Sequence, residues 1–330
     1  MSKVIVRSPD RLAIKDAADL LRRGQLVAFP TETVYGLGAD AQNEAAIERL
    51  YRAKGRPANH PVIVHLASLD QLESWCSSVP KEAEMLAAKF WPGPLTLVLK
   101  RSAKAKNSIT GGQDTVALRI PSNETALALL TEFGDGLIAP SANKFGSVSS
   151  TLAEHVTKEF GNEIPLVLDG GPCQVGIEST IVNISGDHLE ILRPGMISAE
   201  QIAKCLGISD LSQLTLRSSQ VRVSGDLPRH YAPSTPLKIV SKQELESLVS
   251  KGTSSYAIIS FGQPVDSKSV LKWVTVPRDP ADFARSLYAH LRVLDGVGAG
   301  LILVETVPDT VVWAGVKDRL ERAGEPKDPH

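Results

Sequence analysis

Cysteine is scarce in this sequence: Cys76, Cys173 and Cys205 are scattered through 330 residues with no CxxC pair. That argues against a disulfide framework and fits reduced thiols in the core of a cytosolic protein. Net charge is nearly absent as well. With 36 basic and 37 acidic residues the balance is −1, so there is no extended coat for nucleic acid or a membrane surface, and any basic site must be local. No uninterrupted apolar run approaches the ~18 residues of a membrane span. Arg7, Asp10 and Arg11 lie where an export signal would be apolar, so neither membrane insertion nor export is expected. The P-loop pattern GxxxxGK[ST] is missing, and no GxSxG elbow presents a hydrolase nucleophile. Internal repeats and low-complexity segments are also lacking.

What the chain does have is apolar material, 42% of its residues, enough for a sizeable core and two domains. Ser8 is placed to cap a helix with Leu12, Ala17, Leu20 and Leu21 on one face and Gly24 at its end. Leu26 to Phe29 reads as a buried strand stopped by Pro30. A polar, glycine-rich loop over Thr31 to Asp40 is expected next, leading to a helix capped by Asn43. Loops at strand C-termini are where open α/β sheets bind ligands. Gly36-Leu-Gly38-Ala-Asp-Ala41 imitates a dinucleotide fingerprint, but it lies too far from Phe29 for the tight strand-to-helix turn. Further strands and helices alternate up to Leu192, implying an α/β domain of about 200 residues. From Gly207 the pattern lapses, and a linker is expected, carrying the dense patch Leu227-Pro-Arg229-His230-Tyr231-Ala-Pro233. A second alternation starts at Lys238 and predicts a small parallel sheet flanked by helices over Pro280 to Leu294 and Lys317 to Ala323.

Chemistry concentrates in Lys54-Gly-Arg56-Pro-Ala-Asn-His60-Pro-Val-Ile-Val-His65. Pro57 and Pro61 stiffen the turn, Gly55 permits close approach, and a basic turn feeding a strand is suited to an anion. A solvated basic face is the plainer alternative. In the strand Thr115 to Pro121, the side chains of Thr115, Ala117 and Arg119 share one side; a buried Arg119 needs either a ligand anion or a protein carboxylate. Ser141-Ala-Asn143 follows a short strand and offers a hydroxyl and an amide to phosphate oxygens, or else forms a turn or cap. Ser147 to Thr151 then lead into a helix, whose exposed N–H groups favour phosphate.

In order, Thr31-Glu-Thr33-Val-Tyr35-Gly-Leu-Gly38, Lys54-Gly-Arg56, Trp91-Pro-Gly-Pro94, Ser141-Ala-Asn143, Gly176-Ile-Glu-Ser179-Thr180 and Arg193-Pro-Gly195 resemble the threonylcarbamoyl-AMP synthases, the YrdC-like family. The resemblance spans residues 10–205, and His230-Tyr231-Ala-Pro233 is similar to the linker of the long two-domain form. It implies an α/β fold: a YrdC-like twisted open sheet with flanking helices over residues 1–206, a linker and active-site lid over 207–236, and a smaller Rossmann-like α/β domain over 237–330. It also implies nucleotidyl transfer, in which L-threonine, bicarbonate and ATP give L-threonylcarbamoyladenylate and pyrophosphate. The product would serve N6-threonylcarbamoyladenosine formation at position 37 of tRNA, through a downstream transferase complex in the cytoplasm. Mg²⁺ would ride on the ATP phosphates.

By the same resemblance, Lys54, Arg56, Ser141 and Asn143 carry the reaction. ATP would be bound by Arg56, His60, Thr115, Ser141, Ser149 and Arg193, with Tyr231 closing from the linker. Thr33, His65, Arg119, Ser179 and the Ala139 backbone would hold threonine. Three anions sharing one pocket require concentrated positive charge, which fits the basic turn. Two other readings remain open: an RNA-binding module of the same fold, weakened by the neutral charge, and a carbamoyltransferase, whose larger relatives carry zinc-binding cysteine pairs.

Overall fold

The computed structural model describes residues 4–324 apart from 58, 187, 212–213, 217–220 and 226–228. Leu227 and Pro228, the start of the linker patch, therefore lie outside the described residues. Short strands separated by helices build a large mixed sheet: β1 (Ile5–Arg7), β2 (Val27–Phe29), β3 (Gly36–Asp40), β4 (Ile63–His65), β5 (Leu95–Lys100), β6 (Thr115–Arg119), β7 (Leu137–Ile138), β8 (Leu166–Leu168), β9 (Thr180–Asn183), β10 (Glu190–Arg193) and β11 (Thr215–Leu216). Their spatial order is β1-β8-β2-β3-β7-β4-β6-β5-β9-β10-β11. Its helices include α1 (Arg11–Arg22), α2 (Glu44–Lys54), α3 (Leu72–Trp75), α4 (Lys81–Phe90), α5 (Asn107–Thr110), α6 (Glu124–Phe133), α7 (Ala153–Phe160) and α8 (Ala199–Leu206).

Three local expectations are corrected. The cap of α1 is Asp10, whose carboxylate accepts from Ala13 N at 2.7 Å, and the buried stripe is Ala13, Ile14, Ala17, Ala18 and Leu21. Leu12 falls off that 3.6-residue stripe and is 61% exposed. Gly36 to Asp40 is a strand, not a loop, pairing antiparallel with β2 in the register Val27 to Gly38. Glycine is tolerated there because the Phe29 ring crosses it: a Cβ on Gly38 would lie 2.8 Å from Phe29 Cε1. Finally, the linker is not wholly irregular, since β11 adds to the sheet in parallel with β10.

Period-two alternation decides which side chains reach the site. Val64, Val116, Leu118, Leu97 and Val182 point to one face and join the main apolar cluster. The opposite face carries Ile63, Ala117, Val98, Ile181 and Leu192, covered by the linker residues Val221 and Val223. His65 and Arg119 follow Ile63 and Ala117 by two residues, and so point the same way.

The second unit is an all-parallel sheet of β12 (Leu237–Val240), β13 (Tyr256–Ser260), β14 (Val270–Thr275) and β15 (Leu301–Glu305), ordered β12-β15-β13-β14. Helix α9 (Lys242–Lys251) covers one face; α10 (Pro280–Asp295) and α11 (Ala314–Ala323) cover the other. The cluster under α10 and α11 continues into the first unit through Val34, Val148 and Ile177. No helix among the described residues is long and apolar enough to cross a membrane.

Candidate active site

The ends of β4 and β6, the turn before β3, the strand end at Ala139 and the segments around Ser179 and Arg193 converge on one cavity. Of the residues singled out in the sequence, Thr33, His65, Arg119, Ala139, Ser141 and Ser179 line it, as do Arg193 and Tyr231. Its volume is about 30 Å³. Tyr231 fills much of the remaining space, 1% exposed, so the linker is already folded into the site.

Arg119 has protein partners on three of its nitrogens. Its Nη2 lies 2.7 Å from Glu32 Oε1, Nη1 donates to Thr33 Oγ1 at 2.8 Å, and Nε donates to the Gly93 carbonyl at 3.2 Å. A protein carboxylate thus meets its charge. The Glu32 contact is close but out of line for a hydrogen bond, leaving Nη2 and both Glu32 oxygens without directional partners. Arg193 braces the other wall, donating from Nε to the Ser179 carbonyl at 3.0 Å, from Nη2 to Ser179 Oγ at 3.1 Å and from Nη1 to the Ser224 carbonyl at 2.8 Å. Ser179 Oγ shares a 2.7 Å hydrogen bond with Thr96 Oγ1.

The remaining candidates lie outside the cavity lining. Lys54 Nζ donates to the carbonyls of Ser141 and Asn143, each at 2.5 Å, and so holds the Ser141-Ala-Asn143 turn. Arg56, for which a solvated basic face was the plainer alternative, is instead 6% exposed: it donates to the Pro61 carbonyl at 2.7 Å and lies 5.6 Å from the Phe145 ring centre. Edge-on ring contacts run from His60 to Phe145 at 5.4 Å, on to His230 at 6.0 Å and to Tyr231 at 4.1 Å. Ser149 Oγ donates to Glu178, a cavity-lining carboxylate, at 2.6 Å. Thr115 starts β6, about 13 Å along the strand from Arg119, on the face covered by the linker.

Burial pulls the pKa of Lys54, Arg56 and Arg193 below their ordinary values, and each also faces another cation: Arg56 beside Lys54, Arg193 beside Arg56, Arg319 beside Arg193. Burial and the neighbouring Arg119 hold His65 at about 3, so its imidazole is neutral. Its Nδ1 lies 3.3 Å from the Ile63 carbonyl, which only accepts, so Nδ1 carries the proton and Nε2 keeps a lone pair.

Sequence reasoning missed Glu32, Glu178, His230, Tyr288 and Arg319 as site residues. Glu32 and Glu178 stood inside recognised motifs, and His230 inside the linker patch, so a signal was present for them. Tyr288 carried none; Arg319 stands in Asp318-Arg-Leu320, a run that resembles the family's C-terminal Asp-Arg-Leu, but its reach into the site from another unit was not legible.

Fold and site together define an α/β protein with an arginine-walled cavity covered by an interdomain segment. A family model described as telomere recombination, for the Sua5, YciO and YrdC proteins, matches residues 19–195, and one described as threonylcarbamoyl-AMP synthase, C-terminal domain, matches residues 197–324. The chain belongs to the threonylcarbamoyl-AMP synthase family, in its long two-domain form. It is 40% identical to the threonylcarbamoyl-AMP synthase of Pyrococcus abyssi, over 94% of this chain and 93% of that one. The corresponding synthase of Bacillus subtilis is 38% identical, over 94% and 92%. A crystal structure of P. abyssi Sua5 complexed with L-threonine superposes with a TM-score of 0.88 at 38% identity, covering 97% of this chain and 96% of that one.

Proposed function

We propose that this chain condenses L-threonine, bicarbonate and ATP into L-threonylcarbamoyladenylate with release of pyrophosphate. The observation that carries the reading is the row of buried cations Lys54, Arg56 and Arg193, each facing the next. Crowded buried cations are costly until a polyanion joins them, and a triphosphate is such a partner. Arg56 Nε, Asn143 Oδ1, His230 Nδ1 and the Tyr231 hydroxyl are buried without partners, and a ligand would supply them.

In this reading Thr33, His65, Arg119, Ser179 and the Ala139 backbone hold threonine, while Arg56, His60, Thr115, Ser141, Ser149 and Arg193 hold ATP. The neutral His65 accepts at Nε2 from the threonine ammonium. The ammonium gives one proton to solvent, and the free amine attacks the bicarbonate carbon; hydroxide leaves and takes a second amine proton as water, giving the carbamate. A carbamate oxygen then attacks the α-phosphorus and pyrophosphate leaves; positioning and fixed positive charge carry the rate. Among the described residues no group of three His, Cys, Asp or Glu side chains could hold a metal. Magnesium enters with ATP as part of the substrate in this reading, screening its phosphates.

Tyr231 is buried in the cavity wall, so in this reading Tyr231 and the strip around Val221 and Val223 lift to admit the substrates and reclose. The left-handed backbone of Tyr231, φ 60°, supports a hinge role, since such strain in a bulky residue persists only where the surroundings impose it. Reclosure keeps water from an easily hydrolysed adenylate. The product passes in the cytoplasm to a transferase complex acting on tRNA adenosine 37, and direct RNA contact by this chain is weak, in keeping with its charge of −1. Pyrophosphate release that requires both threonine and bicarbonate is the expected result in a coupled assay. Release with either omitted would defeat the substrate assignment.

A further inference from the structure

Glu178 lines the cavity immediately before Ser179, yet two of the groups that hold it come from the second unit. Its Oε1 accepts from Ser149 Oγ at 2.6 Å; its Oε2 accepts from the Tyr288 hydroxyl of α10 and from Arg319 Nε of α11, each at 2.8 Å. Arg319 is wholly buried and also donates to the carbonyls of Glu178 at 3.2 Å and Pro194 at 2.9 Å. Its guanidinium lies 5.3 Å from the Tyr231 ring centre, and Tyr288 stacks on that ring at 5.8 Å. The backbones meet as closely. A Cβ on Gly315 of α11 would fall 2.9 Å from the Gly195 carbonyl, and one on Gly176 would fall 2.6 Å from the Arg285 carbonyl of α10. Arg292 of α10 reaches the Ser149 carbonyl at 3.3 Å and pairs with Glu159 at 2.8 Å.

We infer that Arg319 and Tyr288 are positioning residues for the synthase site: by neutralising and orienting Glu178 they keep its carboxylate from opposing the nucleotide phosphates and hold Ser149 and the Tyr231 ring in place. This rests on the proposed function. A buried carboxylate stripped of its cation repels a polyanion across a low-dielectric cavity. The groups facing Glu178 are Arg319 and Tyr288 from the second unit, Arg193 and Ser149 from the first, and His230 and Tyr231 from the linker. Burial opposes the ionisation of Glu178; Arg319 and Arg193 override it and hold the carboxyl at about 2. Without Arg319, burial gains and the carboxyl titrates closer to neutrality.

The test uses the full chain and reads both the calorimetric Kd for Mg-ATP and the ATP KM of pyrophosphate release. Arg319→Gln is expected to weaken both about tenfold at about pH 8, with threonine KM and kcat changed less than about threefold. The loss should shrink toward about pH 6 as Glu178 takes up a proton, whereas the parent shows no such recovery. Adding Glu178→Gln to Arg319→Gln should bring ATP affinity back to within about threefold of the parent and remove the pH dependence. Tyr288→Phe, which keeps the ring stack, is expected to cost about threefold and serves if Arg319→Gln does not fold. Parent-like ATP affinity in Arg319→Gln, a double variant no better than the single one, or parent-like affinity in Tyr288→Phe overturns the inference. A parent that binds Mg-ATP but releases no pyrophosphate refutes the proposed reaction instead, and the Kd comparison still decides the positioning role.

Discussion

Glu32 and Arg119 face each other at 2.7 Å with side chains only 5% and 4% exposed, a buried ion pair at the end of the cavity proposed for threonine. Removing one partner strands the other in a place water does not reach. Glu32→Ala is expected to lower stability by about 3 kcal/mol, measured as the shift in urea midpoint against the parent. An unchanged midpoint would show that the pair contributes nothing to the fold.

Arg56 is tucked beside Phe145 and bonded to the Pro61 carbonyl, with Nε unpartnered. Arg56→Ala should reduce pyrophosphate release by about a hundredfold or more, because a fixed charged fork is lost from the phosphate site. Full activity at saturating ATP would remove the clamp role.

Tyr231 is buried between Tyr288, stacked at 5.8 Å, and His230, edge-on at 4.1 Å. Tyr231→Ala opens the cavity to water, so more free AMP per turnover is expected, as the adenylate hydrolyses before release. Chromatography of AMP against threonylcarbamoyladenylate reads this directly; unchanged leakage would count against closure.

Stability should fall with acid from near neutrality downward. Burial holds His65 and His230 at about 3 and His155 at about 4, well below the ordinary histidine value. Below about pH 6.5 the unfolded chain protonates these imidazoles and the folded chain does not, so each favours unfolding by about 1.4 kcal/mol per pH unit until its folded value is reached. Glu178, held at about 2, adds a further loss below about pH 4.3. Urea titrations at about pH 7.5, 6.5 and 5.5 check the slope. A midpoint constant across that range would mean these histidines are reached by solvent.

Local pattern was legible where local physics governs. The helices of the second unit, the Asn43 cap and the shared side of Thr115, Ala117 and Arg119 follow from periodicity and short-range hydrogen bonding. Gly36 to Asp40 was misread because its glycines signal a loop, while the Phe29 ring lying across them belongs to the neighbouring strand.

By itself the sequence determined the α/β alternation, the strand faces and the ordered motifs that mark the family, since each is written within a few residues of itself. Only the tertiary structure decided which charge answers which: Glu32 beside Arg119, two backbone carbonyls around Lys54, and Arg319, 141 residues away, on Glu178. Coulomb energy in a dry interior depends on through-space distance and excluded water, and neither quantity is encoded in the spacing of residues along the chain.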